Sequence, residues 1–80
     1  MRLDKFLKVS RIIKRRTVAN EACDAGRVSL NGKTAKAGTE VKVGDIIEIR
    51  FGEKLFRAEV LDVAEHVSKQ QANEMYNTIL

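Results

Sequence analysis

The chain has a single cysteine, a single histidine and few aromatic residues, and each shortage excludes a class of protein. One Cys cannot form an intrachain disulfide, and no Cys-rich zinc site can be built around it. A lone thiol in an 80-residue chain without covalent staples suits a reducing cytosol, so a cytoplasmic protein is expected. No apolar run exceeds three residues, which is too short to span a membrane. The opening MRLDKFLK lacks the apolar centre of a signal peptide. Three Phe, one Tyr and no Trp are present, and Phe6, Phe51 and Phe56 fall at core spacing. That leaves no aromatic platform for stacking splayed bases, so any RNA is expected to be read by shape and backbone. His66 has no second His or Cys at ligand spacing and reads as a solvated or locally bonded side chain. There is no nucleophile–base pair, no phosphate loop and no obvious pair of cleft acids. The expectation is a non-enzyme that holds no cofactor and no metal.

What is present is apolar residue enough for one small core, at 44% of the chain, and a strongly uneven charge. The length predicts one domain over residues 1–80, with a thin core and modest stability. Residues 1–36 carry ten basic residues against Asp4, Glu21 and Asp24, a net of +7. Residues 37–80 carry five basic against eight acidic, a net of −3. The overall +4 therefore hides a dipolar molecule whose first half would suit a polyphosphate partner. A well-solvated basic helix is the plainer reading of the same pattern.

Leu3, Phe6, Leu7 and Ser10 recur at i, i+3, i+4 and i+7, which predicts a first helix from about Arg2 to Ile12. Lys14-Arg15-Arg16 forms a polar break, and Thr17 is a candidate N-cap for a second helix. That helix would turn Val18, Ala22 and Ala25 to one side and stop at Gly26 in a left-handed cap. The break sets three cations at its N-terminal end, where free N–H groups also favour phosphate. After Gly26 the period falls to two. Asn31-Gly32 between Val28-Ser29-Leu30 and Lys33–Lys36 is a type I′ hairpin signal. Gly44-Asp45 and Gly52-Glu53-Lys54 mark further turns, with Ile47, Ile49 and Phe51 on one strand face and Phe56, Ala58 and Val60 on the last strand. Ser68 with Gln71 predicts a capping box and a short C-terminal helix through about Tyr76. The order is α+β: two N-terminal helices on a small, mainly antiparallel sheet, with a short C-terminal helix.

Three fragments carry a resemblance when taken in this order: MRLDKFL, then RR-T-x-A-x-x-x-x-x-x-G-R-V-x-L-N-G, then V-x-x-GD-x-I. Together they resemble the S-four RNA-binding domain, also called the alpha-L motif, over residues 1 to about 51, with a strand and the short helix in 52–80. The opening and the length are similar to a small stand-alone bacterial branch of that family. The heat-shock-protein-fifteen branch is similar too, but usually carries a longer basic C-terminal extension, and the tail here is short and not basic. The resemblance implies binding of structured RNA through the two-helix face and the adjoining hairpin. It also implies large-subunit ribosomal RNA and peptidyl-tRNA as partners on obstructed large ribosomal subunits. There such proteins assist alanine addition to the stalled chain beside a factor that recruits alanyl-tRNA. The matching positions are Arg2, Asp4, Lys5, Arg15 and Arg16, with Lys8, Arg11 and Lys14 near them in sequence. A monomer is expected.

The residue chemistry supports roles of its own. Arg2 and Arg16 would give planar bidentate contacts to phosphate that Lys cannot reproduce. Lys5 and Lys8 would act as point charges near phosphates or belong to a solvated face. Arg27, Lys33 and Lys36 are the hairpin cations. Asp4 is unusual in a basic patch: either it is a carboxylate favoured at a helix N-terminus, or it fixes the fork of Arg2 or Arg16, or it accepts from a base or ribose. Cys23 is expected to pack, Asn20 to lie on the surface or to reach RNA from the second helix, and Met75 and Tyr76 to pack the last helix or to touch a protein partner. Two other classes stay in view. Enzymes that carry this domain keep their catalysis in a separate domain, for which 80 residues leave no room. An adaptor would dock a protein on the acidic half through residues such as Glu48, Glu53 or Glu59.

Overall fold

Period-two patterning after Gly26 becomes a five-stranded antiparallel sheet, and the period-3.6 segment before it becomes two helices packed on one face. The computed structural model describes residues 1–79. Its elements are α1 (Leu3–Val9), α2 (Arg16–Asp24), β1 (Val28–Leu30), β2 (Lys33–Thr34), β3 (Ile46–Phe51), β4 (Lys54–Val60), α3 (Lys69–Ala72) and β5 (Tyr76–Thr78). The strand order is β2-β1-β3-β4-β5. The α+β architecture is the one the sequence implies. The core joins Leu3, Phe6 and Leu7 of α1 to Val28, Ile47, Ile49 and Val60 of the sheet, with Val41 and Met75 closing its ends.

α1 ends earlier than its apolar arc suggests. Ser10 caps it, and Arg11 takes φ +64°, a left-handed conformation that costs a side-chain-bearing residue about 1–2 kcal/mol. The turn redirects the chain so that the Ile13 N–H donates to the Leu7 carbonyl at 3.0 Å and the Ile13 side chain enters the core. Burial of Ile13 offsets the strain. Ser10, on the apolar arc, is buried with its hydroxyl donating to the Leu7 carbonyl at 3.3 Å.

α2 corrects two expectations. Its N-cap is Arg15, not Thr17, and no side chain caps it. Its buried face is Ala19 and Cys23, whereas Val18 is 46% exposed and Ala25 is exposed. This rotation brings Arg16 and Asn20 against the buried Asp4, which needs donors more than Val18 needs cover. Ala19 supplies the small side chain between the helices. Cys23 packs as expected. Burial, with the charges of Asp4 and Asp24, pushes its thiol up to about 11. Gly26 follows at φ +75°, as the left-handed cap requires.

The sheet departs from the sequence pattern at its ends. Phe51 lies at the tip of β3, opposite Lys54, on the rim of a groove it shares with Val18 and Ala22 of α2, and is 47% exposed instead of core. β2 spans two residues, not four, because Ala35 and Ala37 turn into the core. The capping box forms at Ser68 and Gln71, yet α3 makes a single turn and Tyr76 opens β5. Pairing of Tyr76 with Val60 and Thr78 with Ala58 covers the edge of β4. Phe56 is half-buried and meets Tyr76 edge to face, with centroids 6.1 Å apart.

Asn31 ties the first hairpin to the rest. Both turn positions have positive φ, +52° at Asn31 and +84° at Gly32, as a type I′ turn needs. The Asn31 side chain also donates to Asp45 Oδ1 at 3.0 Å and accepts from the Ile46 N–H at 2.8 Å. Asn31→Ala should therefore lose about 2 kcal/mol, and Asn31→Gly, which keeps the turn, about 1 kcal/mol. Urea denaturation followed by circular dichroism checks the order; equal losses would show that the positive φ at this position costs nothing, and an undiminished Asn31→Gly stability that the side-chain bonds contribute nothing.

Candidate nucleic-acid interface

Asp4 stands in the first turn of α1, where a carboxylate complements the helix dipole, and its side chain is only 3% exposed. A charge so withdrawn from water needs partners. It receives the Lys5 N–H at 2.8 Å, Arg2 Nε at 3.2 Å and Nη2 at 3.4 Å, and Asn20 Nδ2 at 3.3 Å, with Arg16 Nε at 3.5 Å. Helix placement and arginine bracing, posed as alternatives from the sequence, are realised together. The two arginine side chains remain 54% and 47% exposed, so each guanidinium is gripped on one edge and open on the other. Gly38 lies beneath the Arg2 guanidinium: a Cβ there would sit 3.8 Å from its Cζ.

Backbone groups of the 37–41 segment close the other side. The Leu3 N–H donates to the Thr39 carbonyl at 2.8 Å and the Asp4 N–H to the Ala37 carbonyl at 3.1 Å. The first N–H groups of α1 are thereby occupied, so any anion near Arg2 is held by side chains.

The remaining predicted residues fall into three places. Lys8, Arg11 and Lys14 are exposed and line a cavity of about 400 Å³ with Val9, Glu65, His66 and Val67. Arg15 is exposed at the N-cap of α2. Lys5, expected as a point charge near phosphate or part of a solvated face, has its ammonium bound to Glu65 at 3.2 Å. Arg27 and Lys33 stand apart from the Asp4 cluster. Arg27 lines a groove with Phe51 and Arg50, and Lys33 is exposed on β2 beside the hairpin turn, as Lys36 is just after it. Sequence reasoning placed Asn20 on the surface and missed its bond to Asp4. The i, i+4 spacing of Arg16 and Asn20 was the available signal, since it sets both on one helix face. Nothing in the sequence pointed to Glu65 or Gly38.

Burial alone would raise the Asp4 pKa, but hydrogen bonds from Asn20 and Arg2 and the charge and hydrogen bond of Arg16 outweigh it and hold the carboxyl below its ordinary 3.8. A depressed folded-state pKa contributes stability that is complete above the unfolded value and is lost as pH falls through the folded one. Asp4→Asn should cost about 1–3 kcal/mol at pH 7, and its deficit relative to the unsubstituted chain should shrink as pH drops below 3.8. Urea titrations across that range check this; a pH-independent deficit would mean that the carboxylate charge is not what holds the cluster.

The S4 domain family matches residues 1–47, which span α1, α2 and the first hairpin. The "RQC P-site tRNA stabilizing factor" of Halalkalibacterium halodurans is 59% identical over 76 residues, covering 95% of this chain and 86% of the relative. The protein of the same name from Bacillus subtilis is 55% identical over 80 residues, covering all of this chain and 92% of the relative. Among solved structures, trimeric Heat Shock Protein 15 of Vibrio cholerae superposes with a TM-score of 0.89 at 28% identity, over 99% of this chain and 81% of that one. With the motif series, the helix pair and the sheet all accounted for, the chain belongs to the S4 domain family and groups within it with the RQC P-site tRNA stabilizing factors.

Proposed function

We propose that the chain is a non-catalytic, RNA-binding ribosome factor that stabilises P-site tRNA on obstructed large subunits during ribosome-associated quality control. The observation that carries this reading is the pair of half-exposed guanidinia braced by one buried carboxylate. Pre-orientation lowers the entropy lost when an arginine fork engages a phosphate. The relatives named as P-site tRNA stabilizing factors supply the RNA class.

In this reading Arg2 and Arg16 grip the RNA backbone and Asp4 positions them. Lys8, Arg11, Lys14 and Arg15 extend the positive surface along the α1–α2 break. The uncapped start of α2 adds free N–H groups beside them. Lys5, neutralised by Glu65, contributes least, and Arg27 and Lys33 reach a more distant part of the RNA. The RNA partners are large-subunit ribosomal RNA and peptidyl-tRNA. The factor works in the cytoplasm as a monomer and supports C-terminal alanine tailing beside a protein that recruits alanyl-tRNA. The fold shared with Heat Shock Protein 15 favours a second reading, a general ribosomal-RNA-binding factor in assembly or heat-shock rescue. Sedimentation separates the two. Recovery on free large subunits holding peptidyl-tRNA supports the first, and recovery on immature precursors supports the second.

If about five phosphates are contacted, log K against log salt should slope at roughly −3.5 to −4.5. Arg2→Ala or Arg16→Ala should each flatten that slope by about 0.7–0.9 and weaken binding to large subunits. Arg→Lys should not restore affinity, because an ammonium lacks the planar fork. Each alanine variant should stay folded, with a Tm lowered by only about 4–8 °C, since Asp4 keeps its other donors. A slope near zero in the unsubstituted chain would sink the reading.

A further inference from the structure

The cleft beside Asp4 gathers hydrogen-bond acceptors next to the Arg16 cation. It measures about 380 Å³ and is lined by Asp4, Arg16, Thr17, Asn20 and Glu21. Thr17, Asn20 and Glu21 stand at i, i+3 and i+4 on α2 and share one helix face. Ionised Asp4 only accepts, so the Asn20 amide must turn its NH2 toward it, and Nδ2 lies 3.3 Å from Asp4 Oδ2. The amide orientation is thereby fixed, and its carbonyl oxygen, Oδ1, is left without a donor among the described residues. The Glu21 carboxylate lies on the same wall and has no ion-pair partner among the described residues. A phosphate entering here would meet that uncompensated charge.

We infer that this cleft is a donor-reading subsite, which takes a hydrogen-bond donor of an RNA nucleotide, a ribose 2′-hydroxyl or a base amino group, while Arg2 and Arg16 hold the adjoining phosphates. The inference rests on the RNA-binding reading above. Asn20 Oδ1 is the principal acceptor, the Glu21 carboxylate the second, and the Thr17 hydroxyl adapts to either role. The cations on this face give affinity without telling RNA from DNA. Where the donor is the 2′-hydroxyl, the acceptors supply that discrimination, because it is the group DNA lacks.

The test measures binding of the full chain by fluorescence anisotropy to three synthetic stem–loops of one sequence. One is all RNA, one is 2′-deoxy, and one is RNA with inosine in place of guanosine, which removes the N2 amino group. The unsubstituted chain should bind the all-RNA probe about tenfold tighter than one of the other two. Loss on the deoxy probe that Asn20→Lys abolishes assigns the hydroxyl, and loss on the inosine probe that it abolishes assigns the amino group. Asn20→Lys keeps a donor toward Asp4 and deletes the acceptor, so the ratio between probes should fall toward one while salt dependence stays steep. Glu21→Gln, at an exposed position, should reduce the ratio with no change in Tm. Equal affinity of the unsubstituted chain for all three probes, with a steep salt slope, overturns the subsite and leaves the RNA-binding reading standing. A ratio that survives both substitutions overturns it as well. Absence of salt-dependent binding to every probe removes the RNA-binding reading itself, and the subsite with it.

Discussion

A carboxylate almost sealed from water sets the geometry of the basic half of this molecule. Asp4 could not stay ionised in its position without donors on several sides, and the chain supplies them from three elements: the segment before α1, α1 itself and α2. Meeting that need decides how α2 is rotated. It turns Arg16 and Asn20 inward toward the carboxylate and leaves Val18 partly in solvent. The arginines are consequently held by their inner edges at the surface. The same ion cluster joins the helices and presents the cations, so stability and the placing of the arginines share one origin.

Local signals carried much of the fold. The Asn31-Gly32 turn, the left-handed Gly26 and the Ser68–Gln71 capping box are decided by neighbouring residues and are legible without tertiary knowledge. Errors arose where distant contacts override local preference. Period alone would continue α1 to Ile12, but core burial of Ile13 favours a strained turn at Arg11. A capping box starts a helix without setting its length, and the open edge of β4 captures Tyr76–Thr78 as a strand. The aromatic spacing of Phe51 was correct for its strand face, but at the tip of β3 the ring only rims a groove beside α2.

The candidate site was legible in composition more than in geometry. Arg2, Asp4 and Arg16 stand out as charges in a motif, and the structure brings them together. Their relation to Asn20, Gly38 and the 37–41 segment depends on packing between parts of the chain far apart in sequence, which no local pattern encodes. The charge count also overstates Lys5, whose ammonium is matched by Glu65 from the acidic half. Net charge by segment therefore marks the basic half of the molecule without ranking the cations within it.

The hydrogen bonds from Leu3 and Asp4 to the carbonyls of Thr39 and Ala37 bear on the order of assembly. The helix that leads the chain is finished by residues from its middle. α1 is also short, and a helix of seven residues does not persist alone in water. A nascent chain that has emerged only as far as α2 thus has its arginines but lacks the frame that seats them. The braced pair arises only after the first hairpin and the segment following it have closed over the N-terminus, so an incomplete chain carries the positive charge without the fixed fork.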